Sequence, residues 1–195
     1  MKIKNTGHLN ILAAILISIA GICDFIAANL FYFGPPSWKW NVKTSIEDSL
    51  LIIIAVFLIL KFIRGFQVIS GIYVCFLITE LISYRTIFGS TDISSHLSAF
   101  HIYMVICAFV AIIVLAGLVN RRRKLPAVII ALSLILISYA IYFIREIIRV
   151  ERGEREIIQK MIYSLFGYDI FTLFLFIGMV LTVIWLWKYP PREQH

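Results

Sequence analysis

Six long apolar runs alternate with short polar or basic stretches along the chain, and each run is long enough to cross a membrane. A transmembrane helix needs roughly 20 apolar residues, because the hydrocarbon core is about 30 Å thick and a helix rises about 1.5 Å per residue. The pattern therefore predicts an all-α bundle of six transmembrane helices. The predicted spans are 9–33, 45–64, 66–88, 97–119, 125–144 and 164–187.

Local signals predict where several of these spans begin and end. The pairs Thr44 with Glu47 and Ser45 with Asp48 both fit a capping box that opens the second span. Gly65 is predicted to form the turn into the third span, since glycine tolerates backbone conformations that other residues avoid. We therefore expect a short connection between the second and third spans.

Tryptophans mark two predicted boundaries. Trp38 and Trp40 follow the first span, and Trp185 and Trp187 lie near the end of the last one. Indole rings are enriched at the level of the lipid headgroups. The two pairs are therefore predicted to lie at the membrane surface, the first pair outside and the second inside.

The stretch 145–160 alternates in charge between the fifth and sixth spans. Five cations and four anions are interleaved with isoleucine, valine and methionine, and Gly153 interrupts the pattern. Such a mixture is typical of an amphipathic helix lying on a membrane surface. A solvated extension of the neighbouring helix explains the same pattern.

Composition supports a membrane protein of one domain, residues 1–195. The chain is 61% hydrophobic and 15% charged, whereas soluble domains are about 45–50% apolar and about 25% charged. A separate extramembrane domain is not expected.

The net charge of +7 does not indicate nucleic-acid binding, which requires a basic face on a soluble fold. Three scattered cysteines, Cys23, Cys75 and Cys107, predict neither a disulfide framework nor a metal motif.

Four adjacent cations, Arg121 to Lys124, separate the fourth and fifth runs and predict the orientation. Short loops rich in Lys and Arg stay on the cytoplasmic side. With six spans, both termini are then cytoplasmic, and the inner segments carry ten cations against one acid. We expect the first span to remain attached as a helix rather than to be cleaved as a signal peptide. The compact chain suggests a prokaryotic cytoplasmic (inner) membrane.

Asp24 and Glu80 are the acidic residues of greatest interest, because intramembrane charges usually face protein or water. At 1.5 Å per residue, each lies roughly 22 Å from the inner end of its predicted span. Glu80 shares a helix face with Tyr73, Ser83 and Tyr84. Asp24 shares a stripe with small residues that permit close helix contact, namely Ala13, Ile17, Ala20, Gly21, Ala27 and Ala28.

Other polar residues are predicted to gather in the outer halves of their spans. The candidates for ligand or proton binding are Asp24, Glu80, Tyr84, Arg85, His101, Arg145 and Asp169.

Three interpretations of these residues stay open. In the first, Asp24, Glu80 and Asp169 lock helices together, either neutralised by Arg85, Arg145 or His101 or kept protonated by burial. In the second, they line an outward-facing cavity around Asp24 and Glu80 for a cation, a proton or a small ligand.

The third interpretation is a metal-dependent enzyme acting on a lipid-linked substrate in the outer leaflet. His96 and His101 are weak metal candidates, since residues five apart lie about 140° apart around a helix and could share a metal only if His96 precedes the helix.

No phosphate-binding loop, nucleophile elbow, haem motif or zincin helix occurs in the sequence, so soluble-type catalysis has no support. The sequence favours a small accessory, assembly or binding component over an enzyme. No cofactor or nucleic acid is expected as a partner. The expected partners are the lipid bilayer, other membrane proteins and further copies of the chain.

Overall fold

A computed structural model describes residues 7–31, 38–83, 93–121, 123–151 and 168–189. These residues form an all-α fold of six helices, as predicted. The helices are α1 (Gly7–Phe31), α2 (Trp38–Ile59), α3 (Ile63–Ser83), α4 (Ile93–Gly117), α5 (Leu125–Glu151) and α6 (Tyr168–Lys188).

The six helices form a closed ring. Each helix packs against the next one along the chain, α6 packs against α1, and α4 also contacts α6. Contacts between neighbours join the beginning of one helix to the end of the other, as between Asn10 on α1 and Leu58 on α2. The helices therefore run up and down, and the chain's turns lie alternately at the two ends of the bundle.

Four of the helices are long and apolar enough to cross a membrane. The qualifying segments are Ile63–Ile82, Ser95–Gly117, Leu125–Ile148 and Phe171–Lys188, and a shorter apolar segment, His8–Cys23, lies in α1. Large apolar side chains are exposed on all six helices. Examples, one from each helix, are Ile15, Val56, Val68, Val114, Ile129 and Ile177. Because soluble monomers rarely expose extended apolar surface, these faces are suited to contact with lipid.

The predicted beginning of α2 is wrong. The helix begins at Trp38, so Thr44, Ser45, Glu47 and Asp48 lie inside it rather than at its beginning. No glycine or proline occurs between Pro36 and the end of this helix, and helix formation therefore continues back to Trp38.

The predicted turn at Gly65 is also wrong. The chain turns at Lys61, which has a φ of 54°, and the N–H groups of Lys61 and Phe62 donate to the carbonyls of Leu58 and Phe57. This pattern is a Schellman motif with a lysine in the left-handed position. Gly65 lies inside α3, where a Cβ atom would come within 2.7 Å of a Phe57 ring carbon. The glycine is required by ring packing rather than by the turn.

The end of the fifth predicted span lies seven residues too early. α5 continues to Glu151, so the beginning of the charge-alternating stretch extends this helix, as the second interpretation predicts, and is not part of a separate surface segment. Residues 152–167, including Gly153, lie outside the described part of the chain.

Packing of the core confirms one prediction and corrects another. Ala13, Ile17 and Ala20 on the predicted small-residue stripe of α1 are buried. Trp185, predicted at the membrane surface, is only 1% exposed and belongs to the core, whereas Trp187 is 47% exposed. The indole of Trp185 packs edge-on against Tyr189, with 4.9 Å between ring centroids. Of this pair, Trp187 alone is therefore exposed for contact with headgroups. The side chains of Trp38 and Trp40 lie outside the described part of the structure.

Candidate functional site

A cluster of polar side chains joins the beginning of α4 to the second half of α5. A spacing of three residues on α4, and spacings of four and three residues from Ser138 to Arg145 on α5, bring these side chains onto facing stripes. Glu146 directly follows Arg145. We call this set the α4–α5 polar cluster, and it consists of Ser98, His101, Ser138, Tyr142, Arg145 and Glu146.

His101 is the centre of the cluster. Its Nδ1 lies 3.0 Å from the backbone carbonyl oxygen of Ser138 and 3.4 Å from the Ser138 hydroxyl. Because a carbonyl oxygen only accepts hydrogen bonds, this geometry assigns the proton to Nδ1. The imidazole also packs against the rings of Tyr142, at 5.3 Å, and Phe176, at 6.1 Å. The ring orientation is therefore set by α5 and α6 together.

Arg145 and Glu146 form an ion pair within the same cluster. The Nη2 and Nε atoms of Arg145 donate to one carboxylate oxygen of Glu146 at 2.6 Å and 3.1 Å. Nη1 donates to the Ser98 hydroxyl at 3.2 Å, and the guanidinium lies 4.7 Å from the centre of the Tyr142 ring. Glu146 is only 8% exposed. The pair is thus removed from water yet neutral overall, which makes its burial tolerable.

A second polar contact lies between α2 and α3. The Tyr73 hydroxyl donates to a carboxylate oxygen of Glu47 at 3.3 Å, and its ring packs against Phe109 at 4.9 Å. Asp48, one residue further along, is 1% exposed. At 1.5 Å per residue, Asp48 lies roughly 17 Å from the end of α2, so its carboxyl group is near mid-depth in the bundle.

Asp48 and Glu146 are buried acids that sequence reasoning missed. Asp48 was assigned to a helix cap and Glu146 to a surface segment. A usable signal exists for Asp48, because it continues the buried stripe of Leu51, Ala55 and Leu58 at spacings of three and four residues.

The predicted site residues are only partly brought together. His101 and Arg145 lie in one cluster and both contact Tyr142. Glu80 lies on α3 with a half-buried side chain. Asp24 and Asp169 lie in α1 and α6, but their side chains fall outside the described part of the structure. Tyr84 and Arg85 also fall outside it.

The two histidines named as weak metal candidates differ in position. His96 is exposed and His101 half-buried, and both lie within α4 because this helix begins at Ile93. Their side chains are therefore about 140° apart around the helix. Among the described residues, no group of three His, Cys, Asp or Glu side chains is arranged to hold a metal ion.

Polar contacts join five of the six neighbouring helix pairs around the ring, and we call them the interhelical joints. Besides the α2–α3 and α4–α5 contacts given above, Asn10 donates to the Leu58 carbonyl at 2.8 Å, Gln67 to the Ile113 carbonyl at 3.1 Å, and Lys124 to the Tyr189 carbonyl at 3.1 Å.

The sixth pair, α6 with α1, is joined by close backbone packing. A Cβ atom on Gly178 would lie 2.7 Å from Ile17 Cγ1 and 3.2 Å from the Ala13 carbonyl oxygen. Small residues of this kind let membrane helices approach closely. The ring is therefore closed by shape at the one pair where no side-chain hydrogen bond is described.

Lys124 differs from its neighbours in the basic loop. It is buried, and its ammonium donates to carbonyls at the end of α6. A cation at this position interacts favourably with the partial negative charge at the C-terminus of the helix. Burial lowers the pKa of Lys124 below the usual lysine value. Arg121 and Arg123 are exposed, while Arg122 lies outside the described residues. The predicted four-cation loop thus contains one structural lysine.

Comparison of the chain with family models, with curated proteins and with solved structures found no significant match.

The α4–α5 polar cluster has a defined chemical capacity. Its imidazole contacts the Ser138 carbonyl through Nδ1, so Nε2 is the nitrogen that would accept a proton or a hydrogen bond. The adjacent ion pair supplies one cation and one anion within a single helical turn. Such a set can bind a proton or a small polar group, and it can also hold two helices in register.

Proposed function

We propose that the chain is a six-span integral membrane protein, with both termini on the cytoplasmic side, that serves as a fixed scaffold. Its role would be that of a small accessory, assembly or binding component. The observation that carries this proposal is the series of interhelical joints, which connect five of the six neighbouring helix pairs by polar contacts.

Six spans are favoured by the closed ring. α1 and α2 lie between α6 and α3, two helices long and apolar enough to cross a membrane. A ring with four spanning and two non-spanning helices would leave the outward apolar side chains of α1 and α2, such as Ile15 and Val56, in water. Lipid contact avoids the free-energy cost of that exposure.

A scaffold differs from a carrier in its conformational range. Alternating access requires one group of helices to rock against another, and such motion would break at least one of the joints. Breaking a partly buried hydrogen bond costs about 1 kcal/mol or more. The proposal therefore expects a single arrangement of the ring under all ionic conditions.

Distances between spin labels test this expectation. Ile46 on α2 and Phe143 on α5 are both exposed and lie on opposite helices of the ring. After replacement of the three free cysteines, the pair Ile46→Cys and Phe143→Cys would be labelled in lipid nanodiscs. The scaffold proposal expects one narrow distance distribution, the same in sodium, in potassium and at either end of the range of about pH 5 to 8. Two populations that exchange with ion or pH would overturn it.

The buried ion pair beside His101 favours a second candidate function, binding of a proton or small ligand. The site would include the α4–α5 polar cluster, with Asp24 and Glu80 as its predicted outward-facing partners. Intramembrane ionisable groups are often functional. The unfolding temperature, measured in sodium, in potassium and at several pH values, should then depend on the ion or the pH. Glu146→Gln, Asp24→Asn or Glu80→Gln should abolish this dependence. A shift unaffected by all three variants would contradict this candidate.

A further inference from the structure

The end of the bundle that carries the turns α2–α3 and α4–α5 and the end of α6 has an unusual surface. Its exposed cations come from three separate segments, and we call the set the basic end. It consists of Lys61, Arg64, Arg121, Arg123 and Lys188.

Two interhelical joints bring these segments together. Gln67 of α3 donates to the Ile113 carbonyl near the end of α4, which places the α2–α3 turn beside the α4–α5 turn. Lys124 donates to the Tyr189 carbonyl, which places the α4–α5 turn beside the end of α6, next to Lys188. The cations therefore form one surface rather than three isolated groups.

No described acid shares this end of the molecule. The acids with described side chains, Glu47, Asp48, Glu80 and Glu146, all lie toward the opposite end or near mid-depth. In the sequence, the segments assigned to this end carry ten cations and one acid, Glu193. Within the described ranges, the cations of the basic end therefore have no acidic side chain of the protein beside them.

Exposed apolar side chains lie directly beside the cations along the chain. Leu60 precedes Lys61 and is 65% exposed, Phe62 follows it, and Leu125 and Trp187 border the other two segments. A soluble polyanion would leave these groups in water. A phospholipid would cover them with its acyl chains while its phosphodiester contacts the cations.

We propose that the basic end binds anionic phospholipids, with Arg121 and Arg123 as principal headgroup contacts. Phosphate oxygens match the planar N–H fork of arginine. The inference rests on the proposed membrane insertion, but not on its orientation, because both leaflets of a synthetic disc can hold the same lipid.

The test compares nanodiscs of phosphatidylcholine with nanodiscs of equimolar phosphatidylcholine and phosphatidylglycerol. Lipids retained on the protein are counted by native mass spectrometry. The wild type should retain phosphatidylglycerol in preference, and Arg121→Gln with Arg123→Gln should reduce this preference by about fivefold for each cation removed. Lys39→Gln with Lys43→Gln, at the opposite end of α2, is the charge-matched control and should reduce the preference less than the arginine pair does.

Three results would overturn the proposal: no preference in the wild type, an equal loss in the control variant, or full displacement of the lipid by soluble glycerol phosphate. The unfolding temperature of each variant in phosphatidylcholine discs checks its fold. Resistance of the protein to alkaline extraction from membranes tests insertion separately. Failure of insertion would count against both proposals, whereas an inserted protein without lipid preference counts against this one alone.

Discussion

The ion pair between Arg145 and Glu146 offers the sharpest test of the α4–α5 polar cluster. Glu146→Gln leaves the guanidinium with the Ser98 hydroxyl and the Tyr142 ring but without a counter-charge. Breaking a fully buried pair costs about 3–5 kcal/mol. The side chains here are 16% and 11% exposed, and membrane hydrogen bonds average about 0.6 kcal/mol. We therefore expect Glu146→Gln to lower the free energy of unfolding by about 2 kcal/mol, a value between these limits.

The double variant separates pairing from simple packing. Arg145→Gln alone should cost about as much as Glu146→Gln, because it leaves a carboxylate buried without its cation. With both residues changed, no charge is left unpaired, and the cost should not exceed that of either single variant. The resulting coupling free energy is about 2 kcal/mol.

Equilibrium unfolding in mixed micelles, driven by added dodecyl sulfate and followed by tryptophan fluorescence, measures these free energies. Arg123→Gln is the control, since this exposed arginine lies at the other end of the bundle and should change stability by less than about 0.5 kcal/mol. Additive effects of the two single variants would refute the reasoning, because they would mean that the two charges do not interact.

Three further predictions concern the α6–α1 contact, the α2–α3 turn and the Lys124 joint. Gly178→Ala should destabilise the protein by about 1–2 kcal/mol, because the new methyl group meets Ile17. Gly71→Ala is its matched control: nothing lies within 4 Å of the added carbon, so a stabilisation of up to about 1 kcal/mol is expected from helix propensity. Lys61→Gly should stabilise by about 1 kcal/mol, since glycine adopts a positive φ without steric cost, and an unchanged midpoint would contradict the Schellman turn. Lys124→Met should destabilise by about 1–3 kcal/mol by leaving carbonyls at the end of α6 without their donor. The same unfolding assay measures all four, and a neutral Lys124→Met would show that this contact does not hold α6.

Much of the fold could be predicted because membrane helices require long apolar runs. The number of helices follows from these runs. The stripe of small residues on α1, with Ala13 and Ile17 buried, follows from helical periodicity. Helix ends were less predictable. The capping pattern of Ser45 and Asp48 also occurs inside helices, and a lysine at a positive φ, as at Lys61, leaves no sequence signal.

The site was less accessible to sequence reasoning because polar pairing depends on which helices become neighbours. One interpretation of the sequence has Arg145 neutralising an acid on another helix, and the described partner of its guanidinium is the adjacent Glu146. Residues one apart on a helix do not normally face each other, and the arginine here also contacts Ser98 on α4 and the Tyr142 ring. Lys124 is similar: its role depends on the end of α6, more than sixty residues away.

Cysteine accessibility tests the six-span account most directly. In a variant with Cys23, Cys75 and Cys107 replaced, single cysteines would be introduced as Ser37→Cys, Ser90→Cys and Arg152→Cys, and as Lys61→Cys and Arg123→Cys. A membrane-impermeant maleimide should label positions 37, 90 and 152 in intact cells, and positions 61 and 123 only after the membrane is permeabilised. Labelling of 90 and 152 but not of 37 in intact cells, or equal labelling of all five, would contradict six spans, and labelling of only 61 and 123 would contradict the cytoplasmic assignment of the termini.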